Sequence, residues 1–136
     1  MINGIVLQKL QSLDETINEL RSLGKVTIVQ LESDWLKRRA IERDLQVMVE
    51  VVIDICQRLL SLEGQTPATT GVDAVKRCIQ MGALTDLEAY RKMVQFRNFI
   101  VYRYEHVDIE ILVDMVNNRL EDFESFKKEI LAYEKD

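Results

Sequence analysis

The chain has 136 residues, of which 47% are hydrophobic and 30% are charged, and its formal net charge is −5. This length suits a single domain, residues 1–136, and the composition is too apolar for a disordered chain. One proline and five glycines are too few for the many turns of an all-β fold, so long helices are expected. The acidic balance argues weakly against a nucleic-acid-binding protein, although a local basic cluster can still serve a site.

Several other classes of function lack the residues that they require. No run approaches the ~18 apolar residues of a membrane span, and the first residues do not resemble a secretory signal, so we expect a cytoplasmic protein. The single histidine, His106, rules out a multi-histidine metal site, and we expect neither a metal nor a cofactor. Cys56 and Cys78 lie in apolar helical patterns and are expected to be buried thiols in a reducing compartment.

Apolar residues at helical spacing predict the first element. An amphipathic helix is expected over about residues 5–23, and Gly24 is a suitable stop for it. Residues 26–31 are rich in β-branched side chains but too isolated to build a sheet. They predict a connector or a short helical turn.

The strongest pattern belongs to a central helix that begins after Ser33 and Asp34, a good N-cap pair, and ends near Gly64. Two adjacent apolar stripes run along it, which indicates a helix buried over a wide face. A partner-binding zipper is the functional alternative. The stripes are formed by Ile41, Leu45, Met48, Val52, Ile55, Leu59 and Leu62, and by Val49, Ile53, Cys56 and Leu60.

Capping signals predict the later helices. Thr70 begins a short helix that Gly82 closes, and Thr85-Asp86-Leu87-Glu88 resembles a capping box at the start of a fourth helix. Asp108 can cap a last helix that extends to about residue 130. The elements together predict an all-α fold, an antiparallel bundle of four to five helices.

Residues with chemical potential are concentrated at the end of the fourth helix. The segment reads Phe96-Arg97-Asn98-Phe99-Ile100-Val101-Tyr102-Arg103-Tyr104. One interpretation is purely structural: arginines complement the helix dipole at a terminus, and the tyrosine rings are buried.

A resemblance favours a functional interpretation. Arg97-Asn98, three apolar residues, Tyr102, one residue and Tyr104 resemble the signature of HepT-type HEPN toxins, except that the family has histidine where this chain has Tyr102. Residues 39–46 and 52–55 are similar to the family's central helix. The likeness covers about residues 34–130.

The resemblance implies a HEPN-like homodimer that acts as the toxin of a toxin–antitoxin pair, a metal-independent endoribonuclease with two motifs facing each other across the interface. Arg97 would be the cation that stabilises the phosphorane, and Asn98 would orient the phosphate or the partner's motif. An MntA-like nucleotidyltransferase antitoxin would transfer AMP to Tyr104, adding charge and bulk that block RNA at Arg97. The structural alternative for Tyr104 is an interfacial ring with a hydrogen-bonded hydroxyl.

Tyr102 departs from the family pattern at the acid–base position. A phenol, with a reference pKa of about 10, is roughly one part in a thousand ionised at pH 7 and is a poor general base. Losing a positioned acid–base group typically costs ~10²–10⁴ in rate, so we expect weak RNA cleavage or none. A natural loss of activity and an inactivating substitution both remain open as explanations.

Two further alternatives remain. His106 could substitute for the missing histidine, but its position four residues further on favours an exposed or capping role near the turn before Asp108. The chain could also be a non-catalytic helical partner that presents substrate to a nucleotidyltransferase, which Tyr102 and the acidic balance favour.

Overall fold

The structure is a computed structural model that describes residues 3–101 and 108–134, with the side chains of 98–101 and 134 left undescribed. The described residues form seven helices and no strand. The helices are α1 Gly4–Arg21, α2 Ile28–Ser33, α3 Trp35–Leu62, α4 Gly71–Gln80, α5 Glu88–Val101, α6 Ile109–Asn118 and α7 Leu120–Glu134. The all-α prediction is confirmed, and none of these seven helices is long and apolar enough to cross a membrane.

Helix α3 is the centre of the bundle, as its two apolar stripes predict. It packs against α1, α2, α4, α5 and α6, and all but one of the stripe residues are buried within the same chain. Leu62, at the end of the helix, is the exception and is 57% exposed. Because the stripes are occupied by this chain's own core, they are not free to form an intermolecular zipper.

The predicted capping residues were right at three helices and wrong at one. Asp34, Thr70 and Asp108 each accept a hydrogen bond from a backbone N–H two or three residues further on. Thr85 instead donates its hydroxyl hydrogen bond to Glu129, 44 residues away, and α5 begins only at Glu88. The Thr85 side chain, which the local sequence pattern predicts as a helix cap, thus forms a tertiary contact instead.

The two cysteines are buried free thiols, as predicted, and Cys78 Sγ lies 3.6 Å from the carbonyl oxygen of Cys56. The adjoining Cys78 thiol and burial raise the pKa of Cys56. A thiol that stays protonated at neutral pH is a poor nucleophile. Both side chains are buried, so the pair contributes to the core.

The start of α5 lies beside the end of α3, which makes these two helices antiparallel. The Tyr90 hydroxyl of α5 donates to Glu129 of α7. One turn further along α7, the Tyr133 hydroxyl donates to Glu63, immediately after α3, at 2.9 Å. The C-terminal end of α5 is therefore directed toward the N-terminal half of α3.

Candidate active site at the end of helix α5

Arg97 lies on the same face of α5 as a row of buried side chains, but beyond the point where that face is covered by the core. Tyr90, Met93 and Val94 face inward and are 1%, 3% and 3% exposed. Arg97 follows Tyr90 by seven residues, about 700° or nearly two full turns, so it shares their face of the helix. Its side chain is nevertheless exposed. The inward face of α5 thus reaches the surface near its C-terminal end and presents a cation there.

The close contacts around Gly71 show where Arg97 lies along the axis of α3. A β-carbon placed at Gly71 would lie 2.7 Å from Ile53 Cδ1 of α3 and 3.7 Å from Val94 Cβ of α5, so Ile53 and Val94 are level with each other. Arg97 lies three residues beyond Val94, about 5 Å further along α5. Since α5 is antiparallel to α3, Arg97 is displaced toward the N-terminal half of α3.

The guanidinium of Arg97 is not neutralised by any carboxylate in the described part of the chain. The preceding arginine of α5 is different: Arg91 lies 2.8 Å from Asp86 and 3.6 Å from Glu88. A planar guanidinium without a carboxylate partner can offer its N–H donors to phosphate oxygens. The arrangement at Arg97 is therefore suited to binding an anion.

The structure describes only part of the predicted site. Arg97 is described with its side chain, and Asn98 is described as helical backbone within α5. Tyr102 and Tyr104, and also His106, lie outside the described residues. That positions 97, 102 and 104 gather into one pocket remains a prediction.

Elsewhere, the described residues offer few groups for acid–base or metal chemistry. A cavity of about 230 Å³ lies between α5, α6 and α7, with apolar side chains such as Phe96 and Phe123 in its lining. Burial raises the pKa of Asp122 in that lining, against the opposing charge of Arg119. No histidine or cysteine is among the described lining residues, and nowhere in residues 3–101 and 108–134 do three metal-ligating side chains meet.

Known proteins match this chain over nearly all of its length. A family model described as ribonuclease HepT-like matches residues 13–130. The chain belongs to the HepT-like family. The resemblance that the 97–104 motif and the central helix indicated is therefore confirmed.

Individual relatives agree with the family assignment. The mRNA nuclease HepT of Shewanella oneidensis is 25% identical over an alignment of 128 residues, which covers 92% of this chain and 95% of that protein. The solved structure of a tri-AMPylated HEPN toxin of Shewanella oneidensis in complex with MNT antitoxin matches with a TM-score of 0.85 and 25% identity, covering 96% of this chain and 99% of that one. The predicted HEPN-like helical fold is thus confirmed.

A third relative shows the fold alone. YutE, a cytosolic protein of unknown function from Bacillus subtilis, has a TM-score of 0.79 at 15% identity, covering 96% of this chain and 88% of that one.

Proposed function

We propose that this HepT-like protein is the toxin of a toxin–antitoxin pair and that residues 97–104 form a metal-independent endoribonuclease site with a defective acid–base position. Membership of the HepT-like family and the mRNA nuclease among the relatives support this proposal. The structural observation that carries it is Arg97, an exposed guanidinium at the end of the buried row of α5, with no described carboxylate to neutralise it.

The reaction needs only groups that a protein supplies without a metal. The 2′-hydroxyl of the RNA attacks the adjacent phosphorus, and the 5′-oxygen of the next nucleotide leaves with a proton, so a cyclic phosphate results. Arg97 stabilises the additional negative charge of the phosphorane, and Asn98 orients the phosphate. A base must remove the 2′ proton and an acid must protonate the leaving oxygen. Tyr102 is a poor base at neutral pH, so this chain cleaves weakly or not at all.

A second copy of the chain belongs to the proposal. Two motifs that face each other across a homodimer interface place two Arg97 guanidinium groups around one phosphate, and a single chain cannot provide this arrangement. The face of α5 that is buried at Tyr90, Met93 and Val94 becomes exposed at Arg97, which supports a dimer interface at this end of the helix. The substrate is an RNA, and a cytoplasmic location follows from that substrate.

We further propose that a nucleotidyltransferase antitoxin neutralises the protein by AMPylating Tyr104. The AMPylated HEPN toxin in complex with MNT antitoxin supports this mode of control. The phenol oxygen attacks the α-phosphorus of ATP, and pyrophosphate leaves. The new phosphodiester places a negative charge seven residues from Arg97 in sequence and competes with RNA for its guanidinium.

A non-catalytic binding partner of a nucleotidyltransferase is the second candidate. Tyr102, which replaces the family histidine, and the net charge of −5 favour it. The two candidates differ in what happens when the histidine is restored.

The deciding experiment compares the chain with its Tyr102→His variant for growth arrest in cells and for cleavage of RNA by the purified protein. The proposal expects cleavage to rise by about 10²–10⁴-fold, the usual contribution of a positioned acid–base group. Tyr102→Phe is the matched control and is expected to give no gain. If Tyr102→His cleaves no better than the parent chain, the ribonuclease assignment fails and the non-catalytic candidate is favoured.

A further inference from the structure

The first turns of α3 carry an exposed aromatic side chain and two exposed arginines along one face. Trp35 is 64% exposed, and Arg39 and Arg43 are exposed as well. Each step of four residues turns by about 400°, only some 40° more than a full turn, so the three side chains form one continuous row. We call Trp35, Arg39 and Arg43 the α3 ridge.

The arginines of the ridge carry positive charge that no described carboxylate within ion-pair distance cancels. Arg77 and Arg119, by contrast, lie 3.8 Å from Asp73 and 3.3 Å from Asp114. Such an uncancelled cluster is notable in a protein whose net charge is −5.

The acidic neighbours of the ridge arginines, Glu42 and Asp44, are partly buried, whereas Arg39 and Arg43 are exposed. The exposed face of this segment is therefore basic, against the average of the molecule.

Helical geometry places the ridge near Arg97. Trp35 and Ile53 are eighteen residues apart, which is five whole turns, so they lie on the same face of α3. At Ile53 this face lies next to Val94 of α5. Arg43 is ten residues before Ile53, about 15 Å, and Arg97 is about 5 Å beyond Val94 in the same direction, so the two arginines are separated by about 10 Å along the axis. The ridge leads away from Arg97 toward the start of α3.

We propose that the α3 ridge binds the flank of a single-stranded RNA whose scissile phosphate lies at Arg97. Arg39 and Arg43 contact phosphates, and a base stacks on the exposed indole of Trp35. The inference rests on the proposed function for the identity of the ligand, and it extends that function by naming the substrate class and the residues that hold it.

The chemistry of the ridge fits a single strand better than a duplex or a protein. Non-specific single-strand sites combine a basic track with aromatic rings on which any base can stack. A base inside a duplex is not available for stacking on a side chain. Leu36, also 64% exposed, would suit a protein partner, but the alternation of the indole with two cations favours a nucleic acid.

Trp35 is the only tryptophan, so its fluorescence reports directly on the ridge. The probe is a short single-stranded RNA with blocked 2′-hydroxyls, titrated into the full chain. We expect quenching of the Trp35 emission on binding, and we expect Trp35→Ala to weaken binding about tenfold, within the range for one stacked base, while Trp35→Phe retains part of the affinity.

The arginines are tested by salt dependence. For Arg39→Gln/Arg43→Gln, the slope of log affinity against log salt should fall by about 1.4, since each phosphate contact to a single strand contributes about 0.7. The charge-matched control is Arg58→Gln/Lys76→Gln, which removes two exposed cations away from the ridge and should leave the slope nearly unchanged.

Three results would overturn the inference. They are RNA binding without any change in Trp35 emission, equal loss of affinity and slope in the ridge and control variants, and no RNA binding by the parent chain. Light scattering of the same variants tests the protein alternative: a ridge variant that loses its dimer but keeps its RNA affinity identifies a protein interface instead.

The Tyr102→His background separates this inference from the proposed function. If Tyr102→His cleaves RNA and the ridge substitutions leave its KM unchanged, the ribonuclease assignment holds and RNA binding by the α3 ridge is rejected. If RNA binding depends on the ridge but Tyr102→His does not cleave RNA, the α3 ridge remains an RNA-binding surface and the ribonuclease assignment is rejected.

Discussion

The carboxyl group of Asp44 in α3 lies close enough to that of Glu19 in α1 for the charge of Glu19 to act on it across the α1–α3 interface. Partial burial, followed by the charge of Glu19, raises the pKa of Asp44 above its usual 3.8, although Arg43 opposes the shift. A carboxyl group with a raised pKa binds more protons in the folded state than in the unfolded chain. Its ionisation therefore lowers the free energy of unfolding as the pH rises through the interval above 3.8.

Asp44→Asn should stabilise the protein at pH 7, because the uncharged amide removes the repulsion from Glu19 and can donate to it. The gain is expected to stay below about 1 kcal/mol, since solvent screens charges that are this exposed. The advantage should shrink as the pH falls through the interval above 3.8, because the native carboxyl becomes protonated there, and it should be lost below 3.8. Thermal melts at pH 7 and pH 3.5 measure both effects.

Asp54→Asn is the matched control for that experiment, because the Asp54 carboxylate lies 3.4 Å from Lys9 Nζ on the same pair of helices. It should give no gain at pH 7. Equal melting shifts for Asp44→Asn and Asp54→Asn would show that repulsion from Glu19 has no measurable effect.

Tyr90→Phe should loosen the attachment of α5 to α7. The ring would keep its edge-to-face contact with Phe126, whose centroid lies 6.0 Å away, but the hydrogen bond to the Glu129 carboxylate would be lost. A hydrogen bond to a charged group contributes about 1.5–3 kcal/mol, and this one is part-buried, so urea unfolding should reveal a loss near the lower end of that range.

Tyr133→Phe removes a hydroxyl from an exposed hydrogen bond to Glu63 and should cost much less than Tyr90→Phe. If both variants lose the same stability, the Tyr90–Glu129 contact does not anchor α5.

Tyr104→Phe should abolish AMP transfer to this chain, because the phenol oxygen is the proposed nucleophile. The assay is mass spectrometry of peptides after incubation with an MntA-like antitoxin, Mg²⁺ and ATP. Tyr133→Phe serves as the control and should be modified like the parent chain. AMP found on the Tyr104→Phe protein, or an unchanged mass of the Tyr104 peptide in the parent, would remove this acceptor from the account.

The sequence predicts the elements whose signals are local. The apolar stripes of α3 and the caps at Asp34, Thr70 and Asp108 all depend on residues within one or two turns, and the structure confirms them. The family motif likewise predicts Arg97 from its neighbours. The local sequence also holds a signal for Trp35, which is a lone tryptophan in the first turn of α3 shortly before Lys37-Arg38-Arg39.

Elements that depend on distant partners could not be predicted in this way. The last predicted helix is divided in two near Arg119, where neither glycine nor proline marks a break. Just before it, the Asn117 side chain accepts from Val26 N–H at 3.0 Å and donates to the Val26 carbonyl oxygen at 2.8 Å. A contact across 91 residues leaves no pattern in the local sequence, and the same holds for the pairing of Thr85 with Glu129.

The central claim is that Arg97 acts on the phosphate in a site that position 102 completes. The most direct test measures the RNA cleavage rate of Tyr102→His with and without Arg97→Gln, using Arg91→Gln as the control on the same helix. We predict that Arg97→Gln lowers the rate of the Tyr102→His protein by about 10²–10³-fold, the usual loss when one stabilising donor is removed from a transition state, while Arg91→Gln changes it little. Equal cleavage rates with and without the Arg97 guanidinium would contradict the account.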